Sequence, residues 1–484
     1  MSRALVLSIA CGLALTPPAL FAQSGLAEGQ ASSAAFAPES RRVIKMTVSP
    51  APKSAAPMPH PLWPHLRELK PANGAIFYER SQSLEWWGAT FRKQVDTLNL
   101  SLDRPWNAKT DSPEWLDNFG ALKEIDYAAR CENCDWQLTD RLRSEGVWML
   151  IPDMQSMRTL NAINAARIRA AIHQHDFDKA ARGLQTSFVM AKNVGEAPTL
   201  ITNLVGTALA AVAQERIEEW IAEPDAPSLF WSLTDMPNPL INWRRPLQGE
   251  AIMFDSMVPE IRQALREAKP RPISPDVLRE RLKKFAEIGQ LRFDLIEWSL
   301  VFAQAAGPAR AHFLHKGLAA EDIDRLPVTQ LVLMFLMSQH DEQLESYMRL
   351  QNLPYWQARP FLNKLHAEQV ARSKEASAYR LLDMWLPAFE NFFRSRPRLE
   401  RRFALQRHIE ALRLYAAEHD GVWPDALDDL RPLPLPVDPY TGKAFTYRRE
   451  GDRAILEADA PPGQTPNESN AVRYELTLRK KTSN

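Results

Sequence analysis

Two cysteines three residues apart, in Arg130-Cys131-Glu132-Asn133-Cys134-Asp135-Trp136, form the sharpest chemical motif of the chain. In an oxidising compartment, Cys131 and Cys134 can close a short disulfide loop, and a local structural disulfide is the expectation here. Reduced, inert thiols, a redox pair and a metal site are the alternatives. A redox cysteine needs a stabilised thiolate, which the start of a helix expected from Asp135 to Arg143 would supply. No strand pattern precedes the motif, so a thioredoxin-like setting is lacking. Zinc would need two more ligands from histidine or carboxylate. Covalent haem attachment needs a histidine where Asp135 stands, which excludes it.

The histidines offer a second set of candidates. His173 and His175 flank a turn, and His312 and His315 share a helix face, but neither pair has a carboxylate at fixed spacing to complete a metal site. His340-Asp341-Glu342 reads as a surface cluster near a helix end. The chain carries no His-Glu-x-x-His, Gly-x-Ser-x-Gly, Ser-x-x-Lys, Gly-x-Gly-x-x-Gly or phosphate-binding glycine loop. No cofactor, metal or catalytic residue is therefore assigned, and a non-enzymatic protein is expected.

The elements that must position these groups are helical. Proline (37) outnumbers glycine (18) and falls between apolar periodic segments, as loops do when they punctuate helices. Phe177, Ala180, Ala181, Leu184, Phe188 and Ala191 recur at three- and four-residue steps on one helix face. The preceding helix carries Met157, Leu160, Ile163, Ile168 and Ala171, with Asn164 and Arg167 interrupting its stripe and needing partners. Asp176 can cap the second helix across a short polar turn. This hairpin, with Asp176-Phe177-Asp178-Lys179-Ala180 followed by Leu184 and Phe188, resembles the second half of a tetratricopeptide repeat. Further helices are expected at 198–222, 241–268, from Ser274 to about Phe302, and over 327–350, 354–371, 376–393 and 397–418. The fold class is all-α: a helical-repeat-like array or an irregular helical bundle, with a small C-terminal α+β module.

Lysine plus arginine equals aspartate plus glutamate at 59 each, so the overall charge does not favour nucleic acid as a partner. Arg394, Arg396, Arg398, Arg401, Arg402 and Arg407 crowd one region, but Glu400 and Glu410 lie among them, and a solvated or ion-paired face is expected. Six early tryptophans (Trp86, Trp87, Trp106, Trp115, Trp136 and Trp148) are read as packing between short helices rather than as a sugar-stacking surface.

Residues 1–22 read as a cleavable secretory signal, with Cys11 offering a weaker lipid-anchor alternative. Residues 23–64, rich in Ala, Ser and Pro, read as a disordered or extended leader, 65–400 as the helical body, and 401–484 as a helix plus small sheet. No segment of the mature chain is apolar enough to span a membrane. The expected location is periplasmic or cell-envelope, with the chain soluble once the signal is removed.

Near the end, Gly421 stops a helix, Asp438-Pro439-Tyr440-Thr441-Gly442 makes a tight turn, and strands follow at about 445–448, 453–456 and 472–478 as a short antiparallel sheet. This ending, with Leu414-Tyr415, His419 to Pro424, Leu427, Asp438-Pro439, Gly442 and Tyr447, resembles the C-terminal part of type II secretion pseudopilins. It is also similar to the tails of exported helical bacterial proteins of unassigned role. The chain lacks the Gly-Phe-Thr-Leu-Ile-Glu processing site and the long N-terminal assembly helix, so a pilus subunit is not expected. The pseudopilin resemblance implies calcium near this loop, with Asp438 as ligand; turn chemistry favours a structural role. The function expected is an exported helical scaffold that binds a protein partner. The alternatives are an envelope enzyme or redox protein using Cys131 and Cys134, and a carbohydrate-binding wall protein.

Overall fold

The computed structural model describes residues 41–53, 58–82, 89–149, 151, 153–288, 295–375, 377–379 and 386–479. The signal segment expected over 1–22, Cys11, and the pair Trp86 and Trp87 lie outside the described residues. Strand β1 (Arg42–Val48) opens the described chain and is followed by β2 (Lys70–Asn73), α1 (Gly74–Arg80), α2 (Ala89–Leu102), α3 (Trp115–Asn118) and α4 (Gly120–Ala128). Strand β3 (Cys131–Asn133) pairs in parallel with β2, and α5 (Leu138–Glu145) follows it. Three long helices come next: α6 (Asp153–His173), α7 (Phe177–Gly195) and α8 (Leu200–Ala222).

Beyond them lie α9 (Phe230–Thr234), α10 (Arg244–Met257), α11 (Pro259–Arg266), α12 (Pro275–Ile288), α13 (Leu295–His315), α14 (Ala320–Asp324), α15 (Val328–Leu350), α16 (Tyr355–Glu375) and α17 (Leu386–Glu418). The chain ends in β4 (Thr446–Glu450), β5 (Arg453–Ala458) and β6 (Val472–Leu478). The mostly helical body with a small C-terminal sheet matches the class read from the sequence.

The helical hairpin forms as expected. Asp176 caps α7 by accepting from Lys179 N at 3.0 Å, and Gly183 lets α7 approach α6 so closely that a Cβ there would lie 2.5 Å from Ile168. The two polar interruptions of the α6 stripe have partners. Asn164 donates to Gly183 O and Ser187 Oγ at 2.9 and 2.8 Å, and Arg167 pairs with both Asp126 oxygens at 2.7 Å. A helix expected over 241–268 is broken in two at Val258, whose ψ of 58° reflects the steric demand of Pro259, the first residue of α11. Conversely, Pro397 lies inside α17 rather than starting a new helix.

The sheet differs most from expectation. Its order is β1-β6-β5-β4; β4, β5 and β6 are antiparallel, and β1 adds in parallel to β6 with Arg42 opposite Val472. Residues 42–48, within the stretch read as leader, are thus built into the fold, because Met46 and Val48 point into the core while Val43, Lys45 and Thr47 point out. The boundary expected at 400/401 falls inside α17, which packs on the body and on the sheet module.

Two apolar cores result. One joins α1 to α9, the C-terminal half of α17 and the sheet; the other joins α10 to α16 and the start of α17. Arginines of α17 hold the first core together. Arg413 and Glu410 are fully buried and pair at 2.9 Å, while Arg413 also donates to Ser49 O at 2.9 Å and Ala226 O at 2.5 Å. Arg402 donates to Glu218 at 2.7 Å, and the Tyr474 hydroxyl donates to the same carboxylate at 2.6 Å, joining α17, α8 and β6. Burial alone would raise the Glu218 pKa, but Arg402 overcomes it and holds the carboxyl below its usual value. Replacing Arg413 with methionine leaves Glu410 buried without its cation. This is expected to destabilise the protein by about 3–5 kcal/mol in urea unfolding.

Candidate functional site

The cysteine motif sits where β3 leaves the small parallel sheet. Asn73 organises the turn: its side chain donates to Asp135 O at 2.9 Å and accepts from Asp135 N at 2.8 Å and from Ala75 N at 3.1 Å, capping α1 with the same oxygen. Cys131 and Cys134 are both free thiols, not the disulfide expected. The helix expected at Asp135 begins instead at Leu138, after Gln137 takes a left-handed conformation at φ 52°, so neither thiol lies at a helix N-terminus.

The surroundings suppress ionisation. Burial raises the Cys131 pKa against the pull of Lys70, and Cys131 Sγ donates to Tyr127 O at 3.4 Å. Burial and the neighbouring Cys131 push Cys134 up to about 12. Tyr78, fully buried between this turn and α7, stacks on Trp136 with centroids 5.5 Å apart and accepts from Asn193 at 3.3 Å. The Trp136 indole donates to Asn193 O at 2.8 Å. The motif therefore docks the N-terminal elements on α7, as two small apolar side chains in a packed corner.

The structure supplies a carboxylate to one histidine pair. Glu223, just beyond α8, lies 2.9 Å from His173 Nδ1 and 3.2 Å from His175 Nε2, bracing the α6–α7 turn against the end of α8. His173 stacks on Trp106 at 4.7 Å, and burial lowers its pKa more than Glu223 raises it. His60, 3.1 Å from Asp178, packs edge-on to Trp220 in the same corner. Among the described residues, no group of three or more His, Cys, Asp or Glu side chains is arranged to hold a metal ion.

The other pair separates. His312 Nε2 lies 3.0 Å from Ser338 Oγ, and Lys316 donates to the same hydroxyl at 2.8 Å, while Lys316 also pairs with Glu342 at 2.8 Å. Burial and the Lys316 charge lower the His312 pKa, so its ring can accept the serine proton, as a nucleophile and its base require. Ser338, however, lies within α15, where the amides belong to the helix ladder and none is directed at a developing oxyanion. The three groups join α13 to α15.

His340, expected on the surface, is buried and stacks on Phe254 at 4.1 Å. Against the upward push of burial, His340 and Arg262 hold the Asp341 carboxyl at about 2. Asp438 is likewise engaged: Arg401 grips both its oxygens at 2.8 and 2.6 Å and lies over the Tyr440 ring at 4.4 Å. Tyr440 N and Thr441 Oγ1 donate to the same carboxylate at 3.0 and 3.2 Å. The Asp438 charge is thus answered by a guanidinium. The arginine stripe is mixed: Arg401 is buried, Arg394, Arg396, Arg402 and Arg407 are half-buried and Arg398 is exposed, with Arg396 bonding Glu400 at 2.6 Å and Arg407 donating to Pro434 O at 2.5 Å. Of the described early tryptophans, Trp136 is buried, Trp106 and Trp115 are half-buried, and Trp148 is exposed, so they form no shared stacking face.

One perturbed group carried no sequence signal. Glu250 of α10 is half-buried, accepts from Leu200 N at 2.8 Å at the start of α8, and is raised by desolvation to about 7. Only the distant packing of α10 on α8 reveals it; Gly249 permits that packing, since a Cβ there would lie 1.8 Å from Pro198 O.

Two outcomes follow from these environments. The Glu250 carboxyl has a higher pKa folded than unfolded, so its contribution is full below pH 4.5 and lost as pH rises to about 7. Glu250→Gln, which keeps an acceptor for Leu200 N, is expected to gain roughly 3 kcal/mol over wild type at pH 8 and nearly nothing at pH 4, read by urea titration at both. At pH 8 the folded protein should react with a thiol reagent at Cys134 about a thousandfold more slowly than the denatured chain, following its thiolate population. Comparison with protein-family models, with curated proteins and with solved structures finds no match.

Proposed function

We propose that the protein is an exported helical scaffold of the cell envelope that binds another protein and that α16 is its partner-facing helix. The observation that carries this reading is how little α16 contributes to the core. Tyr355 and Ala358 anchor its first turn, Leu362 and Leu365 are half-buried, and Phe361 and Val370 stand out at 56% and 40% exposure. Large apolar side chains on an otherwise polar surface helix mark a contact face when they share a surface with further exposed apolar groups. Val328 and Trp356 are further large apolar side chains that stand exposed, at 48% and 39%. The anchoring of α16 is firm at its start, where Trp356 covers Gly442 and Tyr355 meets Tyr440 edge-on at 5.2 Å.

The side chains with chemical capability support the same reading. Cys131, Cys134, His173, His175, His312, Ser338 and Asp438 each brace one element against another. The tetratricopeptide-like hairpin and the pseudopilin-like ending accord with a protein-binding role in export, by analogy of fold. No helix among the described residues is long and apolar enough to cross a membrane.

Purification from the native envelope tests this, with thiol titration and metal analysis on the same sample. The wild-type protein is expected to bring a stoichiometric protein partner, and Phe361→Glu to lose it at least tenfold while keeping its unfolding midpoint, since the side chain is exposed. Bound metal or a rapidly reacting Cys131–Cys134 pair, without a partner, would overturn the proposal in favour of chemistry.

A further inference from the structure

Met58-Pro59-His60-Pro61-Leu62-Trp63-Pro64 lies along α7 as an irregular strap, in no helix or strand. The chain on either side is tied down: Ala51 N donates to Arg413 O at 3.1 Å, and Lys70 N donates to Arg130 O at 2.8 Å. Three of the seven strap residues are prolines, which have no N–H to give to a ladder. Side chains hold the strap instead. Leu62 is fully buried, Gln185 Nε2 donates to Pro61 O at 2.9 Å, and His60 enters the corner where the α6–α7 turn meets the end of α8.

That corner suits a neutral ring better than a cation. The His60 ring lies edge-on to Trp220 at 5.4 Å and 6.3 Å from Phe177, and those two rings are 4.8 Å apart. The His60 side chain is only 14% exposed, whereas Asp178, 3.1 Å from its Nδ1, stands 73% exposed. A carboxylate so well hydrated is screened and answers little of the charge on a covered imidazolium. In agreement, burial lowers the His60 pKa more than Asp178 raises it. The neighbouring elements add no further anion at close range. His175 approaches Phe177 edge-on at 5.6 Å, and Glu223 is engaged by His173 at 2.9 Å and by His175 at 3.2 Å. Burial and the charges of Arg169 and Arg216 also oppose protonation of His173, but His173 ends a long helix. The strap has no ladder to break, so the cost of charging His60 is relieved by local opening.

We propose that His60 is an acid-sensitive catch, whose protonation frees residues 58–64 from α7 and uncovers Phe177 while the helices beneath stay folded. The sign follows from the two environments. Released, His60 titrates near its ordinary 6.5; docked, it titrates lower. The closed strap therefore keeps its full advantage above pH 6.5 and loses it as pH falls toward the docked value, the open population rising about tenfold per unit of separation. The catch is independent of the α16 face.

Proteinase K cleavage of the Leu62–Trp63 bond in the full chain, divided at each pH by cleavage of a synthetic peptide of residues 53–69, reads the open population. The ratio is expected to rise about tenfold from pH 7.5 to pH 5, with no matching rise in cuts within α13. His60→Phe keeps a ring against Trp220 and cannot be charged, so its ratio is expected to stay flat, and His173→Gln is expected to retain the rise. In the folded wild type the His60 ring protons, followed by NMR, are expected to titrate below pH 6.5. A flat wild-type ratio, a rise that persists in His60→Phe or is lost in His173→Gln, a rise shared by α13, or His60 titrating at or above 6.5 would each overturn the proposal.

Discussion

An arginine side chain in an apolar interior is tolerated only when most of its donors are satisfied and its charge is answered. Helix α17 depends on this constraint three times. Arg401, Arg402 and Arg413 each reach a carboxylate, and Arg401 and Arg413 also reach backbone carbonyls of segments far away in sequence: Asn470, Asp459, Ser49 and Ala226. The backbone targets are loop carbonyls that no helix or strand partner would satisfy. The arginines therefore fix how the chain ends, the helical body and the sheet meet, a geometric specification that apolar packing alone supplies less sharply.

The same logic runs through the residues that look chemically capable. A glutamate between two histidines, a serine between histidine and lysine, and a carboxylate gripped by a guanidinium are arrangements an active site could use. In this fold each spans two elements, and each is closed on itself. The two thiols differ only in being packed among apolar neighbours as free side chains. What separates such braces from catalytic groups is the surrounding geometry, since residue type and spacing are shared by both.

That distinction explains what the sequence could show. The α6–α7 hairpin, the Asp176 cap, the Gly421 helix stop and the turn at Gly442 rest on local rules and are found where those rules place them. The division at Val258–Pro259 was also written locally, in the proline, and was masked by the amphipathic run around it. Strand β1 alternates inward and outward as a strand should, but its Pro- and Ala-rich surroundings hid it, and its partner β6 stands at the other end of the chain. Glu223, Glu250 and Ser338 gain meaning only through helices brought together by folding. Glu218 makes sense only once Arg402 and Tyr474 are beside it.

The pairing of β1 with β6 also sets an order of events. Strand β6, one of the two inner strands of the sheet, lies far along the chain from β1, so β1 waits without its partner until β6 has been synthesised. Contacts of such long sequence separation slow folding, because the loop must close before the contact rewards it. A chain assembled this way keeps its sheet open until β6 arrives and closes it only then.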